Sequence, residues 1–419
     1  MLKRVKKLFR VLGPGLITGA SDDDPSGIAT YSQVGAQTGF ATLWTAPLSF
    51  PLMAAVQEMS ARIGLTTGHG LVGNLRLHYP RWILFPLAIL VLSANTINIG
   101  ADIAGMAAAA NLVVPINSLV YVVIFSVFII GAMIYLPYHR FASYLKWLCL
   151  TFFAYIAVPF IVRIDWASVW QHTLVPTFTW DKTMITMLVA LFGTTISPYL
   201  FFWQADMEVA DELSRGKKMR HWIVTKHEIR LMEEDVNFGM FLSQIVTWFI
   251  IITAGATLFG IGAGGIKTAA DAAAALKPIA GDYAYLLFAL GIIGTGLLAI
   301  PVLAGSASYV ISEAFNWKNE GLDEPFSKAK GFYLVVIAST VIGASLSFFG
   351  VDPIALLFYT AVIYGVISPP LIAIILHIAN NKKIMGEESN GKLSNSLVLL
   401  TLVLMTVSAA AYLKLSFFG

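Results

Sequence analysis

About eleven stretches of predominantly apolar sequence, each long enough to cross a bilayer, leave this chain one kind of fold. They run roughly over 11–38, 41–62, 82–110, 116–136, 141–162, 183–212, 238–262, 283–315, 331–349, 353–379 and 396–416. A span needs about 20 apolar residues. In hydrocarbon, every backbone N–H and C=O must find a partner within the chain, which selects helices. The fold class that follows is an all-α integral membrane protein. Only 12% of the 419 residues are charged, about half the share in soluble domains, and no connection is long enough for a separate soluble domain. The chain reads as a single transmembrane domain over 1–419.

Orientation follows from the cations, which collect on the cytoplasmic side of membrane proteins. The N-terminus carries Lys3, Arg4, Lys6, Lys7 and Arg10, and alternate connections bring the total on that side to 22 of the 27 lysines and arginines. This split places the N-terminus in the cytoplasm and, with an odd number of spans, the C-terminus outside a plasma (inner) membrane. It also explains the net charge of +3 without nucleic acid as a partner. The first 20 residues share some features of a signal peptide, but Gly13-Pro14-Gly15 makes a poor apolar core and hydrophobic sequence resumes beyond the acids. Cys149 is the one cysteine and lies in an apolar span, so neither a disulfide framework nor a thiolate metal site is available.

The first span contains Ser21-Asp-Asp-Asp-Pro-Ser-Gly27 where charge and a helix breaker are least expected. A carboxylate at bilayer depth costs at least ~2.5–3.5 kcal/mol, so such residues usually serve a function. Pro25 has no N–H for the carbonyl of Ser21 and biases Asp24 away from helical dihedrals. A helix broken at mid-membrane is expected, with carboxylates and freed carbonyls at one point. Asp24 is the leading candidate ligand. Ser21, Ser26 and Thr30 add hydroxyls, and Gly27 clears space. Asp22 and Asp23 point about 100° apart around a helix; Asp22 is expected to face a watery vestibule, and Asp23 is a candidate for the permeation path.

Ser197-Pro198 interrupts the sixth span in the same way, freeing the carbonyl of Thr194. Five spans separate the two breaks, so the second half runs with opposite topology. Paired broken helices at matching positions point to an inverted-repeat transporter with its site at the midplane. The repeats would cover about 11–162 and 183–379, with an extra helix near 396–416. Both first half-helices would present negative dipole ends there, which suits a cation. Ordinary proline kinks are the competing reading. Thr194 and Ser197 complete an all-oxygen set. Hard oxygen donors suit Mg²⁺, Mn²⁺ or Ca²⁺, and Mg²⁺ keeps much of its water beside one or two carboxylates.

Asn95, Asn98 and Asp102 form a polar stripe on the third span. The asparagines read as interhelical glue, and Asp102 as the member that lines a path. Asp206, Glu208, Asp211 and Glu212 read as a solvated face, with Asp206 as a further path candidate. Glu58 and Arg62 read as an i,i+4 ion pair. Residues 211–236 form either an amphipathic surface helix or a plain linker.

These residues together resemble the Nramp family of divalent-metal transporters, over most of residues 11–386. Gly13-Pro14-Gly15 opens the first span as in that family, and Asp24-Pro25-Ser26-Gly27 stands where the family has Asp-Pro-Gly-Asn. Met53–Gly68 is similar to its second span. Gly193–Tyr199 is similar to its Gly-Ala-Thr-x-Met-Pro-His, and Asn381–Gly386 to the end of its tenth span. The resemblance implies a LeuT-like 5+5 inverted repeat, alternating access, a divalent ion as substrate, no cofactor and no enzymatic activity. It also implies that Asp24 is the metal-binding aspartate.

The departures from the family are equally informative. The family's asparagine is Gly27, its methionine Ser197, its alanine Thr194 and its histidine Tyr199. Its third-span Asp-x-x-Glu is Asp102-Ile-Ala-Gly105, and 331–349 has no arginine. Loss of the thioether removes the soft ligand that favours transition metals. Loss of the acid, histidine and arginine undercuts proton coupling, with Tyr199 left beside the path. The pattern is similar to the divergent Nramp-related magnesium transporters, so Mg²⁺, with Mn²⁺, is the expected cargo and obligatory proton symport is not expected. A proton-coupled Mn²⁺/Fe²⁺ importer, a sodium-coupled amino-acid transporter on the same scaffold and a channel are the other readings. An enzyme would need a motif such as His-Glu-x-x-His, which the sequence lacks.

Overall fold

The computed structural model describes residues 13–136, 152–217, 222–260, 265–317, 321–322 and 324–417. Its main helices, in chain order, begin with two half-helices, α1 (Pro14–Asp22) and α2 (Pro25–Thr38). They are followed by α3 (Thr45–Thr67), the short α4 (Leu71–His78), α5 (Arg81–Val113), α6 (Ser118–Tyr135) and α7 (Phe152–Ile161). A second pair of half-helices, α8 (Lys182–Thr195) and α9 (Pro198–Ser214), precedes α10 (Lys226–Thr257). The chain closes with α11 (Ala284–Phe315), α12 (Lys330–Ser345), α13 (Pro353–Asn380) and α14 (Lys392–Phe417). Among the described residues, eight stretches are long and apolar enough to cross a membrane, taking 182–214 as one. The first half of the expected span 141–162, residues 141–151, lies outside the described residues.

Both expected breaks are present, and proline chemistry explains them. Asp23 and Asp24 leave helical dihedrals between α1 and α2, with φ/ψ of −86°/52° and −69°/172°. Ile196 and Ser197 do the same between α8 and α9, at −111°/56° and −76°/125°. In each case proline opens the following helix, where its missing N–H costs nothing. Pro51, Pro86, Pro301, Pro369 and Pro370 lie inside continuous helices. The kink reading therefore fails for Pro25 and Pro198, where the helix is interrupted.

The half-helices sit at the centre of the bundle. α2 is surrounded by α5, α8, α10 and α13, and α1 packs on α9, α10 and α11. Close contact between α1 and α10 depends on glycine: a Cβ on Gly19 would overlap the backbone of Gly239. Small residues bring membrane helices to backbone contact, where dispersion does the holding. At the start of α1, the Asp235 carboxylate on α10 accepts from the amides of Gly13 at 3.0 Å and Gly15 at 2.7 Å. Those first-turn amides lack helical partners, and a carboxylate complements their dipole.

Among the described residues of 211–236, no separate amphipathic helix is present. Residues 211–214 finish α9 and 226–236 begin α10. Between them Lys217 bridges Glu212 at 2.5 Å and Glu228 at 3.2 Å, and Trp222 Nε1 donates to the Leu65 carbonyl at 2.7 Å. A Thr225–Glu228 capping box starts α10, as Thr-x-x-Glu spacing favours.

Candidate ion-binding site

The two breaks meet. Asp24 caps α2, its Oδ1 accepting from the Gly27 amide at 2.6 Å. A Cβ added to Gly27 would lie 3.3 Å from Asp24 Oδ1 and 3.4 Å from Thr194 Oγ1. The first break, Gly27 and the end of α8 therefore share one space, and the missing side chain keeps it open. Ser26 sits beside it, donating to the Leu357 carbonyl at 2.8 Å and pairing with Thr360 Oγ1 at 3.0 Å on α13. Asp24, Ser26, Thr194, Ser197 and Tyr199 are all buried.

Neither freed carbonyl is left bare. Tyr199 donates its hydroxyl to the Ser21 carbonyl at 2.7 Å, joining α9 to the end of α1. Ser197 donates its hydroxyl to the Thr194 carbonyl three residues back. Residues bound to each break have thus taken the place of the helical N–H groups that proline removes. The Ser21 hydroxyl turns back to the Ile17 carbonyl at 2.9 Å. Tyr199→Phe should leave a buried carbonyl unsatisfied, at about 1–3 kcal/mol. A lower apparent Tm in detergent, with the folded fraction retained, would register it.

The third span contributes more than the sequence suggested. Asn98 Nδ2 donates to Asp24 Oδ2 at 3.0 Å, so Asn98 belongs to the site and is not simply glue between helices. Asn95 does act as glue, accepting from the Tyr364 hydroxyl at 3.0 Å and donating to the Leu303 carbonyl at 3.3 Å. One turn past Asn98, both carboxylate oxygens of Asp102 are buried without a hydrogen-bond partner. At position 105 a Cβ would lie 2.8 Å from Leu357 Cδ1, so a side chain there would require Leu357 to turn aside.

Other expectations need correction. Asp22 does not face a watery vestibule; it is 1% exposed, and its Oδ2 accepts from Ser243 Oγ at 2.5 Å. Asp23 is buried as well. Asp206, Glu208 and Glu212 are not a solvated face but are all buried. Gln204 links Glu208 (2.8 Å) to Thr18 on α1 (2.5 Å). Asp206 is nine residues past Ser197, about 13 Å along the helix. It lines a cavity of about 510 Å³ with Glu313, Tyr309 and Glu324. Glu313 accepts from the amides of Gly70 at 2.8 Å and Gly73 at 2.7 Å, capping α4. The Glu58–Arg62 pair forms as expected, at 3.2 Å, and Arg62 also meets Glu233.

The sequence profile of the Nramp family, described as natural resistance-associated macrophage protein-like, matches residues 15–414. The chain belongs to the Nramp family. Relatives include the divalent metal cation transporter MntH of Caldanaerobacter subterraneus subsp. tengcongensis, 23% identical over 91% of this chain and 87% of that one. The MntH of Yersinia enterocolitica is 23% identical over 99% and 96%. Both are named as transporters rather than enzymes. The crystal structure of the Eremococcus coleocola manganese transporter superposes with a TM-score of 0.76 at 17% identity, covering 99% of this chain and 89% of that one. At that identity the likeness shows the fold, which is the LeuT-like bundle that the family resemblance implied. This Nramp chain thus has the family's scaffold, with Ser, Gly and Tyr at positions 197, 27 and 199.

Proposed function

We propose that this Nramp protein carries divalent metal cations across a plasma (inner) membrane by alternating access, with Mg²⁺ as main cargo, Mn²⁺ as a second, and no obligatory proton symport. The observation that carries the proposal is the meeting of two broken helices around a buried, all-oxygen group: Asp24, Thr194 and Ser197 with Asn98 and Asp102. No sulfur or imidazole was found among these residues, which favours hard ions. Both freed carbonyls already hold a hydroxyl, so few protein oxygens remain for the ion. That suits Mg²⁺, which gives up its water reluctantly and is often held by one or two carboxylates with several waters kept.

Three features support uncoupled transport. Position 105 is glycine, so α5 offers no second carboxylate one turn past Asp102. Tyr199 is committed to the Ser21 carbonyl, and a phenol with a usual pKa near ~10 is a poor proton carrier at neutral pH. No arginine stands in 331–349. Two repeats, about 11–162 and 183–379, would rock against each other around the site, with the N-terminus cytoplasmic and the C-terminus outside.

Uptake into proteoliposomes, with an internal pH dye, tests the reading. Saturable Mg²⁺ entry that Mn²⁺ competes with, and an unchanged internal pH, are expected. Absence of Mg²⁺ entry and of Mg²⁺ competition would remove the magnesium claim. Acidification in step with the metal would favour a proton-coupled Mn²⁺/Fe²⁺ importer.

A further inference from the structure

The broken first span has two sides, and the site described above occupies one of them. Asp24 turns toward α5, where Asn98 reaches it. Asp22 turns toward α10, where Ser243 donates to its Oδ2 at 2.5 Å while Oδ1 has no partner. Asp23 Oδ1 is also buried without a partner. One turn beyond Ser243, Thr247 brings its hydroxyl close to that of Tyr31 on α2, and Tyr31 lies within electrostatic reach of both Asp22 and Asp23. Neither hydroxyl makes a close hydrogen bond. All five side chains are at most 2% exposed. Buried polar groups ordinarily have partners, so unpaired oxygens converging from three helices call for an explanation.

Charge balance sharpens the point. Asp22, Asp23, Asp24 and Asp102 are buried together, and among the described residues no lysine, arginine or histidine pairs with any of them. One divalent ion at Asp24 and Asp102 offsets two of the four carboxylates. The other two must be neutralised at membrane depth, by bound protons or by a second ion.

We propose that Asp22, Asp23, Tyr31, Ser243 and Thr247 form a second cation site, on the α10 side of the break, for a hard divalent ion. Two carboxylates supply the matching charge, and three hydroxyls complete an oxygen-only donor set without sulfur. Occupation of this site screens the acids beside Asp24 and couples the two sites, each ion changing the affinity of the other by the same factor. The proposal rests on the first span being an ion-binding region, and the test below separates the two sites.

The test is Mn²⁺ binding to the full-length protein in detergent, by equilibrium dialysis and by the electron paramagnetic resonance of free and bound ion. Two equivalents per chain are expected, with the bound signal broadened by coupling between neighbouring ions. Asp22→Asn combined with Asp23→Asn should bind one equivalent with a sharpened signal, and so should Asp24→Asn. A single equivalent in the wild type, lost in Asp24→Asn, overturns the second site and leaves the first. A single equivalent lost only with Asp22 and Asp23 relocates the transported ion and overturns the proposed function instead. Two equivalents persisting in the double variant also overturn the second site. If that variant does not fold, Ser243→Ala combined with Thr247→Val decides. It should weaken one of the two equivalents about tenfold or more, and two unchanged affinities would overturn the proposal.

Discussion

Asp24→Ala is expected to abolish metal uptake, lowering the rate at least about 100-fold. Altering the outer groups that merely orient a metal ligand already costs 10–100-fold, and Asp24 is proposed as the charged ligand itself. The substitution removes a carboxylate from the point where Gly27, Asn98 and Thr194 converge. Its structural cost is modest by comparison. The cap on α2 is lost, at about 1 kcal/mol, but the repulsion from Asp22, Asp23 and Asp102 falls at the same time. The variant should elute from size exclusion like the wild type and melt within a few degrees of it when both are free of metal. Uptake and melting are therefore measured on the same preparation. Wild-type uptake of both Mg²⁺ and Mn²⁺ by the variant would place the transport site elsewhere in the bundle.

The sequence revealed the breaks because proline acts locally. A missing N–H and a restricted preceding residue are properties of two neighbouring positions. Pro25 and Pro198 stand among acids and small hydroxyls, whereas Pro86 and Pro301 stand in plainly apolar runs and stay within continuous helices. What could not be read was which groups would replace the lost partners. The proline rule says that the carbonyls of Ser21 and Thr194 lose a donor. It does not say that Tyr199, 178 residues away, takes one of them. The same limit explains Asp22. Helical geometry alone turns it away from Asp24 and toward water, but its burial depends on Ser243, 221 residues along the chain. Asn98 reads from sequence as interhelical glue, the usual role of asparagine in membrane helices, and its neighbour Asn95 has that role here. The i,i+4 spacing of Asn98 and Asp102 was the available signal that both face the break. The burial of Asp206, Glu208 and Glu212 was missed for a related reason: acids near a helix end look solvated until Thr18 of α1, which holds Gln204, and Gly70 at the start of α4 are placed against that helix.

Ser197→Met should shift the protein away from Mg²⁺ and toward soft ions, by about tenfold or more in each direction. Two effects act together. The substitution brings a thioether to the edge of the space shared by Asp24 and Thr194, and sulfur favours ions such as Cd²⁺ over alkaline earths. It also removes the hydroxyl that occupies the Thr194 carbonyl, freeing an oxygen that can displace a water from the ion. A site that strips water disfavours Mg²⁺, which dehydrates reluctantly. Methionine is flexible enough to enter a confined site without a fixed shape, so binding of either sign is measurable if the fold survives. Titration calorimetry with Cd²⁺ and competition of Mg²⁺ against Mn²⁺ uptake would read the two halves of the effect. Ser197→Leu is the necessary control, since it brings similar bulk and removes the same hydroxyl but adds no sulfur. Loss of Mg²⁺ transport in both variants with a gain of Cd²⁺ affinity only in the methionine variant would assign the selectivity to the ligand. If Cd²⁺ binding rises equally in both, the freed Thr194 carbonyl is responsible, and the residue at 197 governs selectivity through the backbone it covers.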